Sequence, residues 1–378
     1  MTKHISQKLI GYRVKAAREA KGWTQAQLSK ALELNDRQSI SDIENGKRAL
    51  KPDELITLAE NLEQDIEFFL NPFSIVGEAQ FSWRTSPQLE DNILDSFELK
   101  AGQWIGILRW LREMEESPCQ SPLKYTLRLT YQSSYEDASS SAERLVEKLD
   151  LGIVPAEKLI ERIEKDLDIP ILFVDTISPS EKGSISGATC HLPELGVIMV
   201  NRNEPEVRRY YDLAHELFHV LTWETMKPAH RESNLIDERS PGKRIEPRIE
   251  QLANNFAAAL LMPQNSLDYL IDRQQTNDID YLLGIAAQLH VAPTALAWRL
   301  CNLKWINNET LNLLKQKHQQ GSSVVKPKHF SYLFVKMLHN SIDRGKLSAR
   351  KAAKTMSMDL DQLSNLFKEH TLSTPFEL

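Results

Sequence analysis

Cysteine is scarce in this chain. Cys119, Cys190 and Cys301 are the only three in 378 residues, odd in number and far apart. That excludes a disulfide framework and points to a reducing compartment. No apolar run reaches the roughly 20 residues that span a bilayer. The N-terminus has no signal-peptide core. The expectation is a cytoplasmic protein with no membrane partner. No internal repeat stands out, and a net charge of −6 argues against bulk coating of nucleic acid. What is present, 41% hydrophobic and 26% charged residues, is the balance of a soluble globular protein long enough for two or three domains.

Charge is unevenly spread. Residues 1–51 hold 11 Lys/Arg against 5 Asp/Glu, so this end is locally basic. The same region reads as short amphipathic helices over Ile10–Ala20, Gln25–Leu32, Arg37–Asn45, Pro52–Leu62 and Ile66–Leu70. Thr24 and Gln27 have capping-box spacing, and Gly46 stops the third helix. Helix, short turn, helix is an arrangement whose second member enters the major groove of DNA.

Pro72-Phe73 opens an expected linker through Pro87. A long helix over Asn92–Glu116 carries Phe97, Trp104, Ile105, Leu108, Trp110 and Leu111, a core or dimer seam. Lys124–Tyr131 alternates as a half-exposed strand, and Ser139-Ser140-Ser141 marks a boundary. Helices over 141–149 and 155–167 and strands over Pro170–Val174 and Val197–Val200 follow. The Ala188–Val200 stretch reads as a hairpin around Pro193–Gly196, taken as the edge that binds extended substrate. Tyr281–Ile306 is a second helix-turn-helix-like stretch, Gln319–Ser323 a connector, and 328–370 a helical tail.

The most informative segment is His215-Glu216-Leu217-Phe218-His219, within a helical stretch, Val207–Trp223, free of Pro and Gly. Four residues apart on a helix, both imidazoles leave one face and can share a Zn²⁺. Glu216 stands beside them as a carboxylate able to take a proton from water. Glu250, at the polar start of a second helix, would complete a His₂Glu set. Asn254, one turn on, could hold the outer nitrogen of one His. His230, Tyr210 and Tyr211 are candidate oxyanion donors. Cys190 is a candidate switch ligand for the open metal position.

Two resemblances follow from these residues. His215-Glu216-x-x-His219 with Glu250-x-x-Ala253-Asn254-x-Phe256-Ala257-Ala258-x-Leu260-Leu261-Met262-Pro263 resembles the ImmA/IrrE metallo-endopeptidases. The likeness extends upstream through Ser186-Gly187-Ala188 and the Arg208/Arg209 pair. It implies metal ligands His215, His219 and Glu250, catalytic Glu216, and cleavage of DNA-binding repressors in stress, phage or mobile-element responses. Thr24-Gln25-x-x-Leu28 with Ile40-Ser41-x-Ile43-Glu44-Asn45-Gly46-Lys47-Arg48 resembles the XRE/Cro-repressor DNA-binding domain. Arg37, Gln38, Ser39 and Ser41 are its candidate base contacts, with Lys47 and Arg48 on phosphates.

The expected fold is mostly α, with a small α+β zincin-like metallopeptidase core behind a five-helix DNA-binding domain. The expected divisions are 1–72 (helix-turn-helix), 73–135 (linker, long helix and strand), 136–306 (peptidase) and 307–378 (helical). The expected activity is a gluzincin-like, Zn²⁺-dependent endopeptidase, with Mn²⁺ also accepted. Expected partners are a double-stranded operator, a repressor cut in trans or in the chain's own linker after residue 70, single-stranded DNA as candidate activator, and a second copy in a homodimer. The alternative is a regulator or antitoxin whose metal site is structural, which would need no base such as Glu216.

Overall fold

The structure is a computed structural model and describes residues 7–34, 36–114, 125–176, 182–232, 235–236, 244–245, 247–316 and 325–377. Cys119 and the Gln319–Ser323 connector lie outside these residues. Contacts divide the chain into two compact units. One is Met1–Gln80, Asp95–Gln120 and Lys336–Leu378; the other is Phe81–Leu94 and Ser121–Val335.

The first unit begins with five helices: α1 (Gln7–Ala20), α2 (Gln25–Ala31), α3 (Arg37–Glu44), α4 (Pro52–Leu62) and α5 (Ile66–Leu70). The Thr24–Gln27 capping box forms, with Thr24 N donating to Gln27 Oε1 over 2.8 Å. Asp36 caps α3 by accepting from Ser39 N at 2.8 Å, and Gly46 (φ 69°) ends it. Val14, Leu28, Ile40, Ile43, Leu58 and Phe69 close the core. Gly11 lets α1 reach α3: a Cβ there would lie 2.5 Å from the Glu44 carbonyl oxygen. A buried ion pair ties three helices, with Arg18 Nε donating to Glu44 Oε1 (2.6 Å) and Gln25 Nε2 to Glu44 Oε2 (2.8 Å).

The expected linker after residue 72 is instead held down. Phe73 is buried, and the Ser74 carbonyl accepts from Arg13 Nη2 (2.6 Å) and Arg109 Nη2 (3.0 Å). Arg109 also pairs with buried Glu78 at 2.9 Å. Two buried guanidiniums need carbonyl and carboxylate partners, and this segment supplies them. It then forms strand β1 (Gln80–Thr85) before α6 (Asp91–Met114).

The second unit holds α7 (Tyr135–Lys148), α8 (Ala156–Asp166), β2 (Ile171–Val174), β3 (Ile185–Leu192), β4 (Leu195–Asn201), α9 (Glu206–Thr222), the short pair β5 (Leu235–Ile236) and β6 (Arg244–Ile245), α10 (Arg248–Leu261), α11 (Gln264–Leu270), α12 (Ile279–Gln288), α13 (Pro293–Asn302) and α14 (Asn308–Gln316). The four-stranded sheet runs β1-β3-β4-β2, with β4 parallel to β2 and antiparallel to β3. The Ala188–Val200 hairpin is therefore interior, not the edge expected for substrate. Its strands carry buried residues on both faces, a pattern of covered strands rather than rims. The outer strand beside β3 is β1.

Two further expectations are corrected. Residues 125–131 form no strand, although Leu127 and Leu129 are buried between exposed neighbours. Alternation reports one buried face, whereas a strand also needs a ladder; Leu127 N donates instead to the Leu221 carbonyl of α9 at 2.8 Å. Ser139-Ser140-Ser141 lies inside α7, because a Ser134–Asp137 capping box starts that helix earlier. The second helix-turn-helix-like stretch, α12–α13, buries Leu282, Ile285, Leu296 and Leu300 in the core that contains α9 and α10.

Helices α15 (Tyr332–Asp343), α16 (Ala349–Met356) and α17 (Leu360–Glu369) end the chain. Trp104 of α6 donates Nε1–H to the Met356 carbonyl at 3.3 Å and meets Phe97 edge-on. The aromatic stripe of α6 is thus core of the first unit. Removing one partner of a buried ion pair strands the other charge. Glu44→Ala should cost ~3 kcal/mol in urea unfolding, whereas exposed Glu63→Ala should leave the midpoint unchanged.

Candidate metal centre

Helix α9 is buried from Asp212 to Thr222 and packs on β3 and β4. His215 and His219 leave its same face, with their Nε2 atoms 3.1 Å apart. Pro247 starts α10, which puts Glu250 in the first turn and Asn254 one turn later. Glu250 Oε2 lies 3.1 Å from His215 Nε2 and 3.5 Å from His219 Nε2. Asn254 Oδ1 lies 3.0 Å from His215 Nδ1 and also accepts from the Tyr211 hydroxyl at 3.1 Å.

That last contact decides whether the residues fit a metal. A carbonyl oxygen only accepts, so His215 carries its proton on Nδ1 and presents a lone pair at Nε2. The lone pair faces a carboxylate oxygen and a second imidazole nitrogen at 3.1 Å. A cation is what such a donor set accommodates. The ligating atoms of His215, His219, Glu250 and a fourth residue, Glu232, all lie within 4.8 Å of one another. Glu232 sits 3.7 Å from His215 Nε2 and 3.8 Å from His219 Nε2.

Burial and the positive charge of Arg84 push His215 down to about 3, so the imidazole is neutral, the ligating form. Burial alone would raise the Glu250 carboxyl; the adjoining His219 and His215 outweigh it and hold it low. Glu232 is raised by burial, reinforced by Glu216 and Glu250.

Glu216 turns towards β3, where its Oε2 accepts from the Thr189 hydroxyl at 2.7 Å. Burial raises its carboxyl to about 7. Its Oε1 is buried without a hydrogen-bond partner among the described residues. Gly187 lies against it, since a Cβ there would meet Glu216 Cγ at 3.4 Å, an ordinary contact. Arg84 of β1 stands 3.5 Å from Asp212 Oδ1 and 4.0 Å from Glu232 Oε2. Burial would lower its pKa, but Asp212, Glu232 and Glu216 keep it raised and charged.

Glu232, Arg84 and Thr189 were not found from sequence. None lies on the α9 or α10 periodicity, and only the fold brings them to the two helices. Of the candidate oxyanion donors, the Tyr211 hydroxyl is engaged by Asn254 and the Tyr210 ring lies edge-on against His290, while the His230 backbone carbonyl, not its ring, accepts from Trp83 N. Cys190 is buried on β3 but is not part of the cluster. Gly187 and Thr189 face Glu216, so strand alternation sends Cys190 to the opposite face, and the switch-ligand reading does not survive.

On α3, Arg37 and Gln38 are exposed and Ser39 is half-buried at the N-terminal turn. Gln38 Nε2 donates to Asp42 Oδ1 at 2.9 Å, and Ser39 is engaged by Asp36. Ser41 is half-buried and accepts from Asn45. Lys47 is exposed, whereas Arg48 is tied to Glu54 at 2.6 Å.

A small sheet packed on the helix that bears two imidazoles, with a carboxylate from the next helix, is the layout of a metallopeptidase-type domain. Residues 164–300 match a peptidase-family model described as the IrrE N-terminal-like domain, and residues 14–69 match the helix-turn-helix model. The chain thus joins a helix-turn-helix DNA-binding domain to an IrrE/ImmA-like peptidase-family domain. Over 81 residues it is 41% identical to the radiation response metalloprotease IrrE of Deinococcus deserti, covering 21% of this chain and 27% of that protein. The match thus spans about a quarter of that relative. Solved structures of the competence regulator ComR from Streptococcus vestibularis (13% identity, 94% of this chain, 100% of that one, TM-score 0.17) and of a PrgX/cCF10 complex (14%, 97%, 94%, 0.16) are also similar. TM-scores this low carry no argument. Among the described residues no helix is long and apolar enough to cross a membrane.

Through its contact with His215 Nδ1, Asn254 would orient that ring towards a bound metal without itself ligating. Asn254→Ala should weaken zinc affinity about 10- to 100-fold in chelator competition, with the fold retained by circular dichroism.

Proposed function

We propose that this chain is a DNA-binding regulator whose second module is a Zn²⁺-dependent endopeptidase. The observation that carries the reading is the convergence of His215, His219 and Glu250 on one point beside buried Glu216. His215, His219 and Glu250 would hold the metal. When bound, zinc supplies Lewis acidity towards a peptide carbonyl and lowers the pKa of water; Mn²⁺ suits the same donors. Glu216 Oε1 takes the proton of the attacking water and returns it to the leaving amine. Thr189 holds the other oxygen still. Arg84 keeps a positive charge within the buried site, where negative charge develops on the carbonyl oxygen.

The substrate we infer is a regulatory protein such as a repressor, cut in trans. Self-cleavage just after residue 70 is disfavoured, because Ser74 is bound by two guanidiniums rather than presented as an extended strand. A homodimer on a two-fold operator, with single-stranded DNA as activator, completes the proposal. Arg37, Gln38, Ser39 and Ser41 would read bases, with Lys47 and Arg48 on phosphates.

Wild type should cleave a repressor in the presence of zinc and lose this activity on chelation. Glu216→Gln should bind zinc as well as wild type and yield no new fragments on a gel. Equal fragment patterns from the two proteins would leave the structural-metal alternative standing. At the DNA end, Lys47→Ala should reduce the slope of log affinity against log salt by about 1. Gln38→Ala should cost about 1–3 kcal/mol on the preferred operator alone.

A further inference from the structure

The sheet edge next to the metal centre is already occupied by the chain itself. On one side β1 adjoins β3; on the other it pairs with the segment that follows α9. Trp83 N donates to the His230 carbonyl and Glu232 N to the Trp83 carbonyl, each at 2.9 Å, making a parallel bridge between Trp83 and Arg231. An edge strand beside a hydrolytic centre is where an extended peptide adds by main-chain hydrogen bonds. Here those groups of Trp83 are taken.

The same segment carries Glu232 to the centre. Its carboxylate lies 3.7 and 3.8 Å from the two Nε2 atoms, and its Oε1 has no hydrogen-bond partner among the described residues. Hydrolysis of a peptide bond leaves a carboxylate, so a side-chain carboxylate there has the chemistry of a bound product. It brings no scissile carbonyl to be cut.

The anchors of the segment stand apart from the ligands. Arg231 donates through Nε to Thr85 Oγ1 (2.8 Å), through Nη1 to Asp91 Oδ1 (2.7 Å), and through Nη2 to the carbonyls of Ser86 (3.0 Å) and Leu89 (2.7 Å). Ser82 Oγ donates to the Ala229 carbonyl at 2.8 Å. This is a latch of directed bonds, whereas Glu232 stands beside the carboxyl groups of Glu216 and Glu250, which together with burial raise its own.

We propose that residues 229–232 form an internal product-mimicking strap, latched by Arg231, which holds Glu232 over the ligand cluster until an extended peptide substrate displaces it from β1. The inference rests on the metallopeptidase reading. Its test uses zinc-saturated full-length protein and acetohydroxamate, a small metal-binding carboxylate surrogate. Glu232→Gln removes the plug's charge without changing its size; Arg231→Ala removes the latch without touching a ligand.

Both variants should bind acetohydroxamate about tenfold more tightly than wild type, Glu232→Gln because the competing carboxylate is gone and Arg231→Ala because the competing closed state is lost. Hydrogen exchange across 81–85 and 229–232 should accelerate in Arg231→Ala and not in Glu232→Gln. Affinities of both folded variants within about twofold of wild type would overturn the strap while leaving the peptidase reading intact. Failure of wild type to bind zinc would overturn both. Should Arg231→Ala fail to fold, the isosteric Glu232→Gln decides the matter alone.

Discussion

The hydrogen bond between His215 Nδ1 and Asn254 Oδ1 is a small contact on which the second unit's chemistry depends. It fixes which ring nitrogen carries the proton and so aims a lone pair inwards. The bond crosses from α9 to α10, so it also sets the rotation of one helix against the other. Glu250 and Asn254 are one turn apart on the same face. The rotation that satisfies one therefore places the other. Phe218 and Phe256 pack together between the same two helices and resist slippage.

This explains what was legible in the sequence. Each helix carries its information locally: two imidazoles four apart, then a carboxylate and an amide four apart. The capping box at Thr24 and the stop at Gly46 are local in the same way, and the five N-terminal helices follow their sequence signals closely. Glu232, Arg84 and Thr189 lie on a loop and two strands, where spacing says nothing about what a side chain meets. Cys190 shows the converse: one residue along β3 from Thr189, it falls on the other face. Residues 125–131 alternate as a strand does, but the hydrogen bond of Leu127 goes to the end of α9.

Charge is where sequence reading is weakest. Arg13, Arg18, Glu44 and Arg109 would be assigned to the surface by type, yet all are buried. In the first unit burial is tolerated because each charge meets a complementary partner. Arg18 meets Glu44, Arg109 meets Glu78, and Arg13 meets three backbone carbonyls. Such groups cost desolvation energy and return specificity of arrangement, here the mutual register of α1, α2 and α3.

The second unit is built on the opposite balance. Glu216, Glu232, Glu250 and Asp212 are gathered around His215 and His219, and the guanidiniums of Arg84 and Arg208 face Asp212 first. The cationic side chains are fewer than the carboxylates. Three of the carboxyls, Asp212, Glu216 and Glu232, respond as buried acids do, by holding their protons more tightly. A divalent cation held there would supply the charge this set is short of and would let the acids ionise. Charges that merely hold a fold together, as in the first unit, need no such ion. The difference between a neutralised interior and one left acidic around two imidazoles separates a structural ion pair from a site suited to a metal.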